Sequence, residues 1–126
     1  MRHESAPPTG FLHIHEDRGH TVLEFHGEID IAAATEIAPH LDAVTEGPAP
    51  HVVIDLRHVE FFDCSGLRLL HRARLRVQAH DGRLLLVCDH PLTLRILRVT
   101  GLHRLLPPAP TLDEALSRPA AASRSW

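Results

Sequence analysis

Residues 51–70, HVVIDLRHVEFFDCSGLRLL, constrain the fold of this chain more than any other stretch. They open with Val52, Val53 and Ile54, closed by Asp55 and Leu56. A β-branched run without polar alternation suits a central strand covered on both faces. A second apolar knot follows in Val59, Phe61 and Phe62, and then Asp63, Cys64, Ser65, Gly66 and Leu67. That last group has the chemistry of a helix start. An Asp or Ser side chain accepts from the orphan N–H groups of a first turn, and Gly66 permits close backbone approach at some cost in helix propensity. Strand, short loop and polar helix start together describe the end of an open α/β sheet where working residues gather.

The helix that follows is legible. Leu69, Leu70, Ala73 and Val77 fall on one side with Gly66, and Leu67 lies at the edge. Arg68, His71 and Arg72 occupy the opposite face together with Leu75. A single exposed leucine is ordinary on a protein surface and that reading carries the greater weight; among arginines it also fits a contact surface.

At 126 residues the chain is one domain with enough length for a core that needs neither disulfide nor metal. The domain is expected over residues 10–118, between a disordered N-terminal segment at 1–9 and a flexible tail at 119–126. A net charge of −3 gives no electrostatic case for bulk binding to nucleic acid or anionic membrane. No apolar run approaches a membrane span and the first residues lack a signal-peptide core, so a cytoplasmic protein is expected. The two cysteines, Cys64 and Cys88, read as thiols.

Alternation over residues 11–16, a turn over 17–20 and a second run over 21–26 predict a hairpin. Gly27, Glu28, Ile29 and Asp30 end it and lead into a helix over 32–46, striped by Ala34, Ile37, Leu41 and Val44. Pro39 argues against an unbroken helix there: it either kinks the helix or opens one. Residues 83–88, RLLLVC, read as another buried strand. Pro91 is a natural first helical residue with Asp89 or His90 as cap, and Gly101 stops that helix ahead of Leu102. Leu105 and Leu106 suggest a short edge strand, because prolines 107, 108 and 110 forbid a long one. Thr111 through Glu114 carries a capping-box signature for a last helix.

Twelve histidines raise the question of a metal. They are scattered, and only His13 and His15 have ligand-like spacing, so ordinary imidazoles are expected, with no metal and no cofactor. Glycine-rich phosphate loop, Gly-x-Ser-x-Gly elbow and HExxH are all absent from the sequence. The carboxylate pairs Glu28/Asp30 and Asp113/Glu114 have simple turn or cap roles. No reaction is suggested, and the chain is not read as an enzyme. The helix start over 63–67 is either a well-capped helix and nothing more, or an anion or phosphorylation site. Helix N-termini favour negative charge by about 0.3–1 kcal/mol.

Here the chain resembles a STAS domain, over roughly residues 11–116. Gly27-Glu28-Ile29-Asp30 is similar to that family's glycine-glutamate-leucine-aspartate motif. Asp63-x-Ser65-Gly66-Leu67 resembles its aspartate-serine-serine/threonine-glycine-leucine signature, and Pro91 with Gly101-Leu102 resembles its proline-led helix and terminal glycine-leucine. The resemblance implies an α/β fold: a mixed sheet whose opening strands are antiparallel and later ones parallel, with about four helices packed mainly on one face. It implies an anti-sigma factor antagonist, a monomer or weak dimer that binds an anti-sigma factor, often a serine kinase, and frees the sigma factor. In the family the kinase phosphorylates the serine after the motif aspartate. Here that phosphoacceptor position holds Cys64, and the adjacent Ser65 is turned by about 100° around a helix start.

The expected partner surface comprises Asp30, Asp63, Cys64, Ser65, Gly66, Arg68, Arg72 and Leu75. It rests on the arginine-rich helix face and on the end of the sheet that the family uses. Two competing readings are an accessory STAS subunit of a transporter or stress-signalling assembly, and a thiol-based redox sensor using Cys64, whose place at a helix N-terminus favours thiolate.

Overall fold

The computed structural model describes residues 10–118; the segment at 1–9 and the tail at 119–126 lie outside them. Strands β1 (Leu12–Asp17) and β2 (His20–Ile29) form the expected antiparallel hairpin. Arg18 and Gly19, its two loop residues, both have positive φ, 48° and 81°. That is the backbone a two-residue hairpin needs to match the twist of its strands. Strands β3 (His51–Phe62), β4 (Arg83–Val87) and β5 (Pro108–Ala109) then add in parallel, giving the order β1-β2-β3-β4-β5. The parallel steps are bridged by α1 (Ile31–Val44), α2 (Cys64–Ala79), and α3 (Pro91–Val99) with the single turn α4 (Leu102–Leu105). A last helix, α5 (Leu112–Ser117), follows β5.

Two apolar layers flank the sheet. The larger joins Leu23 and Phe25 of β2, Ile54 and Leu56 of β3 and Leu86 of β4 to Ile37, Leu41, Leu70 and Leu97 of α1, α2 and α3. The smaller joins Val22, Val53, Leu85 and Val87 to Ala109 and Ala115. The helices therefore lie mainly on one face, as expected, and α5 alone packs on the other.

β3 is one strand where the sequence showed two apolar knots. Residues 21–29 of β2 pair with 52–62 of β3 through register shifts after Glu24 and after Gly27. Each is a bulge that places an extra β3 residue against β2 and resets the side-chain phase. Leu56, Val59 and Phe62 therefore all reach the larger layer at a spacing of three. Gly27 supplies a φ of 81° at the second irregularity, where a left-handed backbone costs a glycine nothing.

Three local expectations are corrected. α1 runs unbroken through Pro39 and does not begin there; Pro39 is exposed, so the lost Thr35 carbonyl bond leaves an acceptor that water can serve. Its buried stripe is Ala33, Ile37 and Leu41, with Ala34 and Val44 only half-buried. Leu105 and Leu106 do not form the edge strand: Gly101, at φ 80°, lets the chain turn directly into α4, and the edge strand is Pro108–Ala109. A proline fits there because an edge strand leaves some N–H positions unpaired. Of the two caps the sequence offered for α3, His90 serves: its Nδ1 accepts from Leu92 N–H at 3.2 Å.

Candidate functional site

Strands β2 and β3 end in register, Ile29 opposite Phe62, so Asp30 and Asp63 follow side by side. Both are N-caps, with nearly identical backbones (φ −104°, ψ −166° and φ −108°, ψ −165°). Asp30 Oδ1 accepts from Ala33 N–H at 3.0 Å and Asp63 Oδ1 from Ser65 N–H at 2.8 Å. The Asp63 N–H donates to the Ile29 carbonyl at 3.4 Å, extending the strand pairing into the caps. Cys64 is the first residue of α2 and is exposed; Ser65 is half-buried. Gly66 is buried against Phe62, whose ring would stand 2.5 Å from a Cβ at that position. The glycine is therefore what allows the helix start to sit this close to its own strand.

Beside this rim lies an apolar groove of about 420 Å³ between the end of β3 and α3, lined by Phe61, Phe62, Leu92, Ile96 and Val99 with Glu60 at its edge. Phe61 is 55% exposed, Leu92 64% and Val99 77%. Contiguous exposed apolar side chains of this size mark interaction surfaces on soluble domains. Sequence reading missed the groove, because its two walls are 30 residues apart in the chain and neither is unusual alone.

The predicted partner residues divide along α2. Asp30, Asp63, Cys64, Ser65 and Gly66 converge at the rim, and Arg68 stands exposed on the next turn. Leu75 is exposed two turns beyond Arg68, about 10 Å further down the helix. Arg72 is not a spare cation. Its Nε and Nη2 each donate at 2.7 Å to the two oxygens of Asp42 on α1. Arg76 adds bonds to Thr45 Oγ1 at 2.7 Å and to the Asp42 carbonyl at 3.0 Å. Together they fasten the C-terminal end of α1 to α2, the end of a helix that favours positive charge.

A polar network on the uncovered face of the sheet also escaped the sequence. Asp55 is fully buried, and its carboxylate accepts from Arg57 Nε at 3.0 Å, Nη2 at 2.8 Å and backbone N–H at 3.0 Å. Burial works to raise its pKa, but the three bonds and the guanidinium charge outweigh it and hold the carboxyl below its ordinary value. Next to it, Glu24 accepts from His15 Nε2 at 3.0 Å and His26 Nε2 at 3.1 Å. The DLR triplet at 55–57 is the one sequence signal for the first pair. The second needs the hairpin register. Among the described residues the cysteines do not bridge: Cys64 is exposed, and Cys88 is buried, which pushes its thiol pKa up.

Comparison with known proteins places the chain. The family model for the STAS domain matches residues 12–115. The crystal structure of an anti-sigma factor antagonist from Mycobacterium paratuberculosis is 32% identical, covers 95% of this chain and 98% of its own, and superposes with a TM-score of 0.78. An anti-sigma-factor antagonist (STAS) domain protein from Planctomyces limnophilus is 28% identical, with coverage of 90% and 98% and a TM-score of 0.76. The anti-sigma F factor antagonist of Paenibacillus polymyxa is 26% identical over 98 residues, 76% of this chain and 83% of that protein. With its hairpin-led mixed sheet, paired Asp caps and nearly full-length family match, this chain belongs to the STAS domain family.

Proposed function

We propose that the chain is an anti-sigma factor antagonist, a cytoplasmic binding protein and not an enzyme, that docks an anti-sigma factor and thereby frees a sigma factor. The observation that carries this is the exposed apolar groove of Phe61, Leu92 and Val99 adjoining the capped start of α2. An apolar centre with Glu60 and Arg95 in its lining has the build of a protein interface, with an anchoring pocket and a charged rim. The relatives named as antagonists support the class of partner.

The partner is an anti-sigma factor of the serine-kinase type, and its phosphate switch is disabled in this chain. Residue 64 offers a thiol where a hydroxyl is required, and Ser65, the half-buried second residue of α2, is turned from it by about 100° around the helix. Release then depends on partner concentration and affinity and not on modification of residue 64.

The test is calorimetric titration of the full chain against kinase-type anti-sigma factors from its own source. Leu92→Asp is the diagnostic variant. An acidic residue in the first turn of α3 suits the helix dipole, so the fold should hold while the groove gains a charge that docking would bury. Affinity should fall by at least about tenfold, the consequence of roughly 1.4 kcal/mol at an interface. Wild-type affinity in this variant would move the interface off the groove. Failure of every such kinase to bind the wild type would favour the accessory-subunit reading.

A further inference from the structure

The sheet face opposite α1 and α2 is only partly covered by α5, and the uncovered part is rich in imidazole. His13 of β1 lies directly opposite Glu24 of β2 in the hairpin register, and His26 follows two residues on, on the same face. One ligand atom from each of His13, Glu24 and His26 falls within 4.8 Å of the other two. The His13 and His26 rings are 4.2 Å apart. The bulge after Glu24 brings His58 opposite His26, where the two rings stack at 4.6 Å and 16°.

We propose that His13, Glu24 and His26 form a binding site for a divalent transition metal of the zinc class. Two imidazoles and a carboxylate are a three-ligand donor set with a fourth position open to water. Hard cations such as Mg²⁺ and Ca²⁺ prefer all-oxygen sets. Tetrahedral bonds of about 2.0–2.2 Å hold ligand atoms about 3.3–3.5 Å apart. Glu24 Oε1 and His26 Nε2 already stand 3.1 Å apart, and the remaining closure needs only side-chain rotation of the exposed His13.

The support around the three ligands is also present. His15 Nε2 bonds the other Glu24 oxygen at 3.0 Å and holds the carboxylate plane, while His58 fixes the ring of His26 by stacking. Outer partners of this kind orient ligands and raise affinity by about 10–100-fold. The β1–β2 ladder sets the backbone of all three ligands before any metal arrives, which leaves only the His13 side chain to rotate. It is built from β1 and β2, whereas the rim that meets the partner lies at the ends of β2 and β3 and on α2 and α3. Loading would therefore stabilise the domain without occupying the docking groove.

The test uses the full chain with Zn²⁺ alone, by calorimetry and thermal unfolding, and Co²⁺ as a spectroscopic probe. The expected result is one strong site per chain, a raised Tm, and Co²⁺ bands of a four- or five-coordinate nitrogen/oxygen site. His13→Gln, Glu24→Gln and His26→Gln should each weaken Zn²⁺ by at least about tenfold. His71→Gln and Cys64→Ser, at exposed positions away from the cluster, should not change it. Circular dichroism of each variant separates loss of ligand from loss of fold, and the wild-type Co²⁺ spectrum is independent of every variant. Undiminished binding in His13→Gln and His26→Gln, a sulfur-to-cobalt charge-transfer band pointing to Cys64, or no Zn²⁺ binding by the wild type would each overturn the site.

Discussion

The rim at the ends of β2 and β3 and the uncovered face of the same strands are built in opposite ways. Asp63, Cys64, Ser65 and Gly66 are consecutive, and their arrangement follows from one strand ending and one helix beginning. On the sheet face, Glu24, Asp55, Arg57 and the histidines come from three strands and meet only through register and a bulge. The rim is held by local capping and by one tight glycine contact. The face is held by charge pairing inside a fully formed sheet. A perturbation on the face should therefore report on the whole fold, whereas one at the rim should report on the helix start and on docking.

The largest effect should come from Arg57→Met. It leaves the Asp55 carboxylate buried with only a backbone donor, and breaking a buried pair costs about 3 kcal/mol or more; the partial exposure of Arg57 puts the expectation at the lower end. Urea unfolding measures it, and Asp55→Asn combined with Arg57→Met should recover part of the loss. A midpoint within error of wild type would show that the face is not held by this pair.

Gly66→Val comes next and tests the rim. The new side chain meets the buried Phe62 ring at a Cβ separation of 2.5 Å, and overpacking of that kind costs about 1–3 kcal/mol. Asp63→Ala removes a cap worth about 1 kcal/mol and should weaken partner binding as well. If Asp63→Ala instead destabilised the fold more than Arg57→Met, the contrast between the two regions would be reversed.

Acid sharpens the comparison from the side of the face. His20 is buried at the start of β2, its Nδ1 beside the Arg18 carbonyl, and burial lowers its pKa below the usual 6.5. Its unfolded form therefore binds protons first. Its contribution is full above about pH 6.5 and is lost as pH falls towards the depressed folded value. Asp55, also depressed, adds stability that is full above its unfolded pKa of about 3.9 and is lost as pH falls below it. Denaturation midpoints from pH 7 to 3 should decline, and His20→Gln should flatten the upper part of the curve alone. An unchanged slope in His20→Gln would place the sensitivity elsewhere.

Cys64→Ser should have the smallest effect on stability and the clearest effect on chemistry. Oxygen replaces sulfur at an exposed first helical position, so the unfolding midpoint should barely move. It puts a hydroxyl at the position we propose as the counterpart of the family's phosphoacceptor, and a phosphate there would bring about −1.5 to −2 charge beside Asp63. Intact-mass measurement with a bound kinase and ATP should show phosphate on the serine variant and little on wild type. Efficient modification of the wild type at Ser65 would show that the switch survives.

What the sequence determined by itself was everything with a local cause. The hairpin, the Asp63 helix start, the apolar side of α2, the Pro91 start and the Thr111 cap follow from patterns within a few residues. The motifs 27–30 and 63–67 carried the family on that basis. Single-residue periodicity failed at β3, because two bulges turn alternation into a spacing of three; at Pro39 periodicity held and the proline rule gave way, because the exposed ring leaves a carbonyl that water can serve. Only the tertiary structure decided the groove between β3 and α3, the tie of Arg72 to Asp42, and the meeting of His13 with Glu24 and His26. The physical reason is common to all three. Each joins side chains from separate elements, and which ones meet is set by strand register and helix docking, to which the whole core contributes.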